Sequence, residues 1–267
     1  MATSSAPLEI GRVALTVHDL GATGAFYESV LGLAPMGRDG ESARYGTGGR
    51  VLLELRRDPA ARRAAQDEAG LFHTAFLLPG RADLGAWLHH AAGTGTRLEG
   101  ISDHLVSEAL YLSDPEGNGI EIYVDRPRAQ WRHEDGLVRM RTLRLDPCDV
   151  GAAATGPWDG APADTVIGHV HMRVGTLPEA RDFIEGELGF ALTSRYPGAL
   201  FFGSGGYHHH LAANVWHSKD APRRSFPVTG LAAVEIRDAT GRAPRRLQDP
   251  WGTEFDLVAA PRDVAAV

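Results

Sequence analysis

The chain has 267 residues, 43% apolar and 23% charged, with a formal net charge of −7 and one cysteine, Cys148. This composition excludes general disorder, an acidic balance without a dense Lys/Arg run excludes a nucleic-acid footprint, and no apolar stretch nears the roughly 20 residues of a membrane span. A lone cysteine excludes an internal disulfide and a cysteine-built zinc site. The amino-terminal MATSSAPLEI has no basic-then-apolar signal pattern, so a cytoplasmic protein is expected. Twelve histidines against one cysteine are the first sign of chemistry.

An internal repeat organises the chain. IGRVALTVHDL from Ile10 matches IGHVHMRVGTL from Ile167 at an offset of 157, and Phe26, Leu31, Gly32, Gly46, Gly48 and Gly49 keep that offset. GLFHTAF from Gly70 matches GLAAVEI from Gly230 at an offset of 160. DPEGNGIEIYV from Asp114 matches DPWGTEFDLVA from Asp249 at 135, so the last unit is shorter by a helix. Four units result, at 8–57, 68–126, 164–217 and 225–260. The first two form an N-terminal half, 8–126, and the last two a C-terminal half, 164–260, joined by a connecting segment, 127–163, in which Trp131 and Trp158 are the bulky anchors.

Taken in chain order, each full unit reads as strand, helix and three strands. Val13, Leu15 and Val17 alternate with more polar neighbours, the period of a half-buried strand. GAFYESVLGL follows with Phe26, Val30 and Leu33 at helical spacing and Gly32 as a stop. Gly-punctuated strands ARYGTGG and RVLLELR complete the unit. In unit two a helix is expected around ADLGAWLHHAAGTG, then the hairpin ALYLSDPEGNGIEIYV, turning at Asp-Pro and Gly-Asn-Gly.

With four such units, the chain resembles the vicinal oxygen chelate superfamily of glyoxalase I, bleomycin- and fosfomycin-resistance proteins and extradiol dioxygenases. Within it the similarity is to two-domain bacterial catechol-2,3-dioxygenase-like proteins. The resemblance spans residues 8–260 and implies an α+β fold of four tandem βαβββ modules, the fourth lacking its helix. These would form two curved mixed β-sheet cavities, with metal ligands on the first and last strands of paired modules.

Strand alternation selects residues that could line such a cavity. His169, His171 and Arg173 lie opposite apolar Val170, Met172 and Val174; His73 shares a face with Ala75 and Leu77; Glu121 and Tyr123 lie opposite Ile120 and Ile122. A single strand histidine is more often structural, but the repeat register adds a second argument. His169 aligns with Arg12, and His73 with Ala233, so ligand-type residues persist in units two and three and are lost in one and four. His73, His169 and Glu121 would make a two-histidine, one-carboxylate metal site for Fe(II), with Mn(II) as the alternative ion. This requires units two and three to face each other. A 1+2 and 3+4 pairing would instead give a first site intruded upon by Arg12 and a second lacking one histidine.

The stretch 103–121 carries the most specific resemblance. Extradiol enzymes show a His, an apolar residue and Tyr, Asp-Pro, a Gly and the ligand Glu, matched here by His104, Leu110, Tyr111, Asp114, Pro115, Gly117 and Glu121. Ser102 departs from the pattern, which usually has Gly, Asn, Thr or an aliphatic residue there. The resemblance makes Tyr111 and His104 hydrogen-bond partners of substrate oxygens. Tyr207-His208-His209-His210 closes unit three, where the resemblance implies an active-site histidine as acid/base; strand alternation and repeat register favour His209 for it, with His208 and His210 the open alternatives.

The activity implied is extradiol ring cleavage: a small catecholic substrate chelated through both oxygens and opened by O2, in an enzyme that incorporates both oxygen atoms. The alternatives are a glyoxalase-like isomerase or transferase, and a non-catalytic drug-binding protein on the same scaffold. No nucleic-acid or membrane partner is expected, and the scaffold's habit suggests a homodimer or higher homo-oligomer.

Overall fold

The computed structural model describes residues 6–260. The first module comprises β1 (Leu8–Val17), α1 (Leu20–Ser29), β2 (Ala34–Asp39), β3 (Ser42–Thr47) and β4 (Arg50–Arg57). The second comprises β5 (Gly70–Leu77), α2 (Arg81–Thr94), β6 (Gly100–Asp103), β7 (Ser107–Ser113) and β8 (Gly119–Asp125). The connecting segment holds β9 (His133–Glu134), β10 (Leu137–Val138), β11 (Leu143–Arg144) and α3 (Pro147–Ala152). The third module has β12 (Val166–Arg173), α4 (Leu177–Arg181) continued by a π-helical stretch to Leu188, then β13 (Ala191–Tyr196), β14 (Ala199–Gly203) and β15 (Leu211–Asn214). The last has strands alone: β16 (Gly230–Asp238), β17 (Arg245–Gln248) and β18 (Glu254–Ala259).

The first helix starts about a turn earlier than the apolar spacing suggests. Asp19 caps it, its Oδ1 accepting from the Gly21 and Ala22 amides, and the buried face runs through Leu20, Thr23, Gly24 and Tyr27. Phe26 and Val30 are only partly covered. The helix ends before Gly32, which reverses the chain with φ +68°.

The modules pair across the chain rather than along it. One sheet has the order β17-β18-β16-β1-β4-β3-β2 and joins modules one and four; the other has β11-β6-β7-β8-β5-β12-β15-β14-β13 and joins two and three. Each sheet is mixed. Antiparallel partners meet at the module junction, β1 with β16 and β5 with β12, while β1–β4, β16–β18, β5–β8 and β12–β15 are parallel. One apolar core draws on both sheets and their helices, with Leu15, Leu53, Phe76, Trp87, Val170 and Ile236 all essentially inaccessible. Burial of this kind is worth about 2 kcal/mol per large side chain. The opposite, concave face of the second sheet is left free to build a site.

A bulge in β12 sets which side chains face that concavity. Ile167 and Val170 both enter the core, so the alternation slips once between them. The slip falls at Gly168, where a Cβ would lie 1.7 Å from the Tyr123 hydroxyl. Glycine is therefore required there, and His169 and His171 are turned away from the core.

Candidate metal centre

The register explains why three distant residues meet. Across β7, β8, β5 and β12, Tyr111 pairs with Glu121, Glu121 with Ala75 and Ala75 with His169, forming one row on the concave face. Ala75 is the small member of that row and leaves room between the carboxylate and the imidazole. His73 stands one pleat further along β5, opposite His171. The ligand-type atoms of His73, Glu121 and His169 all lie within 4.8 Å of one another, and all three residues are buried. Glu121 Oε2 is 3.0 Å from His73 Nε2 and 3.2 Å from His169 Nε2.

The donor set fits a divalent cation. His73 Nε2 is buried, close to a carboxylate oxygen, and makes no hydrogen bond, which is the arrangement of a lone pair aimed at a shared centre. Burial raises the carboxyl pKa of Glu121, but His169 and His73 overcome it and hold the group well below the usual carboxylate range. Burial drives the His169 imidazole down to about 4, against the opposing pull of Glu121. An ionised Glu121 beside a neutral His169 imidazole is the protonation state that metal ligation needs. His169 Nδ1 is buried without a partner.

Around the cluster lies a cavity of about 490 Å³, within the range of small-molecule sites. Its walls include Phe72, Phe201 and Trp216, and its rim includes Met140 and Arg141 from the connecting segment. His104 and Tyr111 both line it, and they bond to each other: Nε2 of His104 is 2.7 Å from the Tyr111 hydroxyl. The other ring nitrogen, Nδ1, lies 2.9 Å from the Arg141 carbonyl, an obligate acceptor. His104 therefore carries its proton on Nδ1, and Tyr111 donates to Nε2. Burial, with the charge of Glu121 beside it, raises the Tyr111 pKa well above that of a free phenol, so its hydroxyl stays protonated.

The histidine run differs from its expected form. Residues 207–210 lie in an irregular stretch ahead of β15, not within a strand. Strand alternation therefore does not operate there, and side-chain bonds set the directions instead. His209 does reach the cavity, with its ring centroid 4.0 Å from that of His169. His208 turns to Asp125, and His210 accepts from the Ser204 amide through Nδ1 at 3.2 Å. Sequence reasoning passed over His171 as a site residue, although it stands on the face it identified. His171 is 4.9 Å from His73 between ring centroids and accepts from the Asn214 amide at 3.0 Å.

The connecting segment is part of the site. Besides Met140 and Arg141, it contributes Trp131, whose indole donates to the Arg126 carbonyl and packs 5.1 Å from the His208 ring. β11 adds to the edge of the second sheet at Ser102 and Asp103. Trp131 stood out in the sequence as an anchor, but the Pro-, Gly- and Arg-rich composition did not signal where it docks or that Met140 and Arg141 reach the cavity.

The first sheet repeats the register without the ligands. Arg12 pairs with Glu235 and Ala14 with Ala233, as His169 does with Ala75 and His171 with His73. Glu235 in turn pairs with Asp256, as Ala75 does with Glu121. The guanidinium of Arg12 lies 3.0 Å from Glu54 and 3.2 Å from Glu235, while Arg246 engages Asp256 at 2.6 Å. Internal ion pairs occupy the carboxylates that a cation would need.

Comparison with known proteins agrees with this architecture. The profile of the Glyoxalase/Bleomycin resistance protein/Dioxygenase superfamily matches residues 9–122 and 166–255. A curated Bacillus subtilis protein named catechol-2,3-dioxygenase is 40% identical over 228 residues, covering 83% of this chain and 80% of that one. Among solved structures, a candidate dioxygenase from Bacillus subtilis superposes with a TM-score of 0.63 at 13% identity, covering 95% of this chain and 85% of that one. Glyoxalase I from Zea mays gives a TM-score of 0.55 at 14% identity, over 94% and 92% of the two chains. At those identities the structural likeness speaks for the fold alone. Together, the repeated βαβββ modules, the cross-chain sheet pairing and the matched sequence profile place this chain in the glyoxalase/bleomycin resistance protein/dioxygenase superfamily.

Proposed function

We propose that the protein is an extradiol ring-cleaving dioxygenase, acting on a catechol-type substrate with O2 and incorporating both oxygen atoms. The observation that carries this reading is the buried convergence of His73, His169 and Glu121 at a cavity of aromatic size, with Tyr111 and His209 beside them. The 40% identity to a protein named catechol-2,3-dioxygenase supports it. Held by these three side chains, Fe(II), or Mn(II) as the alternative, would chelate and acidify vicinal hydroxyls and exchange electrons with dioxygen.

The chain's own residues would do the rest. Phe72, Phe201 and Trp216 flank the ring and exclude water. Tyr111, held protonated, would turn its one O–H from His104 Nε2 to a substrate oxygen, with His104 holding the phenol in place until substrate arrives. His209 takes the second hydroxyl proton at the nitrogen open to the cavity. A glyoxalase-like reaction would draw on a second carboxylate ligand, and among the described residues none joins the cluster.

The test is anaerobic loading with Fe(II), then oxygen uptake across a panel of catechols. One O2 consumed per ring-opened semialdehyde formed is the expected result, and no uptake with any catechol would end the reading. His73→Ala and Glu121→Ala should each fail to retain iron; full iron stoichiometry in either would remove the ligand assignment.

A further inference from the structure

A buried hydrogen-bonded chain leads away from His209 on the side opposite the cavity. Asp125 closes β8, and its Oδ1 accepts from His208 Nε2 at 2.8 Å and from the Tyr207 hydroxyl at 3.1 Å. The Tyr123 hydroxyl, 2.7 Å from that of Tyr207, donates in turn. The second nitrogen of His208, Nδ1, meets His209 Nδ1 at 2.7 Å. His208 is fully buried, and the Trp131 ring covers it.

With both imidazoles neutral, these contacts set the direction of each proton. A neutral imidazole has one donor and one acceptor nitrogen, and a carboxylate only accepts. His208 must therefore carry its proton on Nε2, facing Asp125, and present a lone pair at Nδ1. His209 must then donate from Nδ1. Its Nε2 is left with the lone pair; among the described residues that nitrogen has no hydrogen-bond partner, and the residue lines the cavity.

We infer that Asp125 and His208 are positioning residues that lock His209 in the tautomer whose free Nε2 lone pair faces the substrate. The inference deepens the dioxygenase reading and rests on it for the identity of the proton donor. When a substrate hydroxyl gives up its proton, its O–H bond breaks and an Nε2–H bond forms on His209, with no other change in atoms. The charge gained by His209 is shared across its Nδ1–H bond with His208, whose Nε2–H points at the Asp125 carboxylate. Neither Asp125 nor His208 touches the cavity, so their effect must pass through His209.

The test uses the full-length chain, labelled with 15N at histidine and loaded with diamagnetic Zn(II), with tautomers read from two-bond 1H–15N correlations. In the wild type, His208 should be the Nε2–H form and His209 the Nδ1–H form. Asp125→Leu removes the acceptor, so His209 should populate both tautomers, and kcat should fall roughly tenfold or more with KM within about twofold. Asp125→Asn can keep a carbonyl oxygen at Oδ1, so it should preserve the tautomers and recover much of kcat. A wild-type His209 protonated on Nε2, or an Asp125→Leu protein with native tautomers and native kcat, would overturn the inference. If Asp125→Leu does not fold, the wild-type spectrum decides alone. If the iron-loaded wild type cleaves no catechol, the dioxygenase reading falls, while the spectra still judge the tautomer lock.

Discussion

Acid should destabilise this protein through His210 by an amount that can be isolated. The residue is completely buried, its Nδ1 accepts from the Ser204 amide, and its Nε2 has no partner. Burial pushes its pKa down to about 3, against 6.5 for an unperturbed imidazole. Because the folded value is depressed, the unfolded chain binds the proton first as pH falls below 6.5. Stability is then present in full above that value and is lost on the way down to about 3. The slope from one such group approaches about 1.4 kcal/mol per pH unit, so between pH 6.5 and 4.5 His210 alone should remove about 2 kcal/mol. Urea midpoints of the metal-free chain, measured at several pH values for wild type and His210→Asn, test this. Asparagine puts an acceptor close to where Nδ1 stood, and the cavity it leaves costs the same at every pH. The variant's stability should therefore decline more gently than the wild type's by about that slope. Parallel lines would refute the reasoning.

Other substitutions probe the site's construction. Tyr111→Phe should retain the metal and lower kcat about a hundredfold, since the hydrogen bond to developing charge is removed together with the one to His104; an unchanged kcat would take Tyr111 out of the chemistry. Ala75→Leu leaves every ligand in place but fills the gap between Glu121 and His169, and should weaken Zn(II) or Fe(II) binding at least tenfold by titration. Native affinity there would mean that the row is not the geometry that holds the ion. Gly168→Ala drives a Cβ into the Tyr123 hydroxyl and should cost about 2 kcal/mol in chemical denaturation; a neutral result would show that the bulge relaxes freely.

Much of the site was legible before any coordinates. Offsets of 157 and 160 align His169 with Arg12 and His73 with Ala233, and the observed pairings of β5 with β12 and β1 with β16 keep that alignment. Period-two alternation put His169 and Glu121 on the concave side because one face of each strand had to enter the core. At residues 207–210 His209 does face the cavity, but no ladder imposes alternation there, and side-chain bonds to Asp125 and Ser204 set the directions. Alternation also carried no hint of Arg141 reaching His104 or of Trp131 sealing His208, since long-range docking of an irregular segment leaves no local pattern.

The sequence alone determined the module count, the face of each strand and the residues able to ligate, because repeats and periodicity are properties of short stretches. Only the tertiary structure decided that the second module pairs with the third and the first with the fourth. It also decided that Arg12 is neutralised by Glu54 and Glu235, and that one histidine of three turns to the cavity. The physical reason is that each module offers the same apolar face and the same first-strand edge. Local chemistry leaves every pairing open, and contacts between residues far apart in the chain select one.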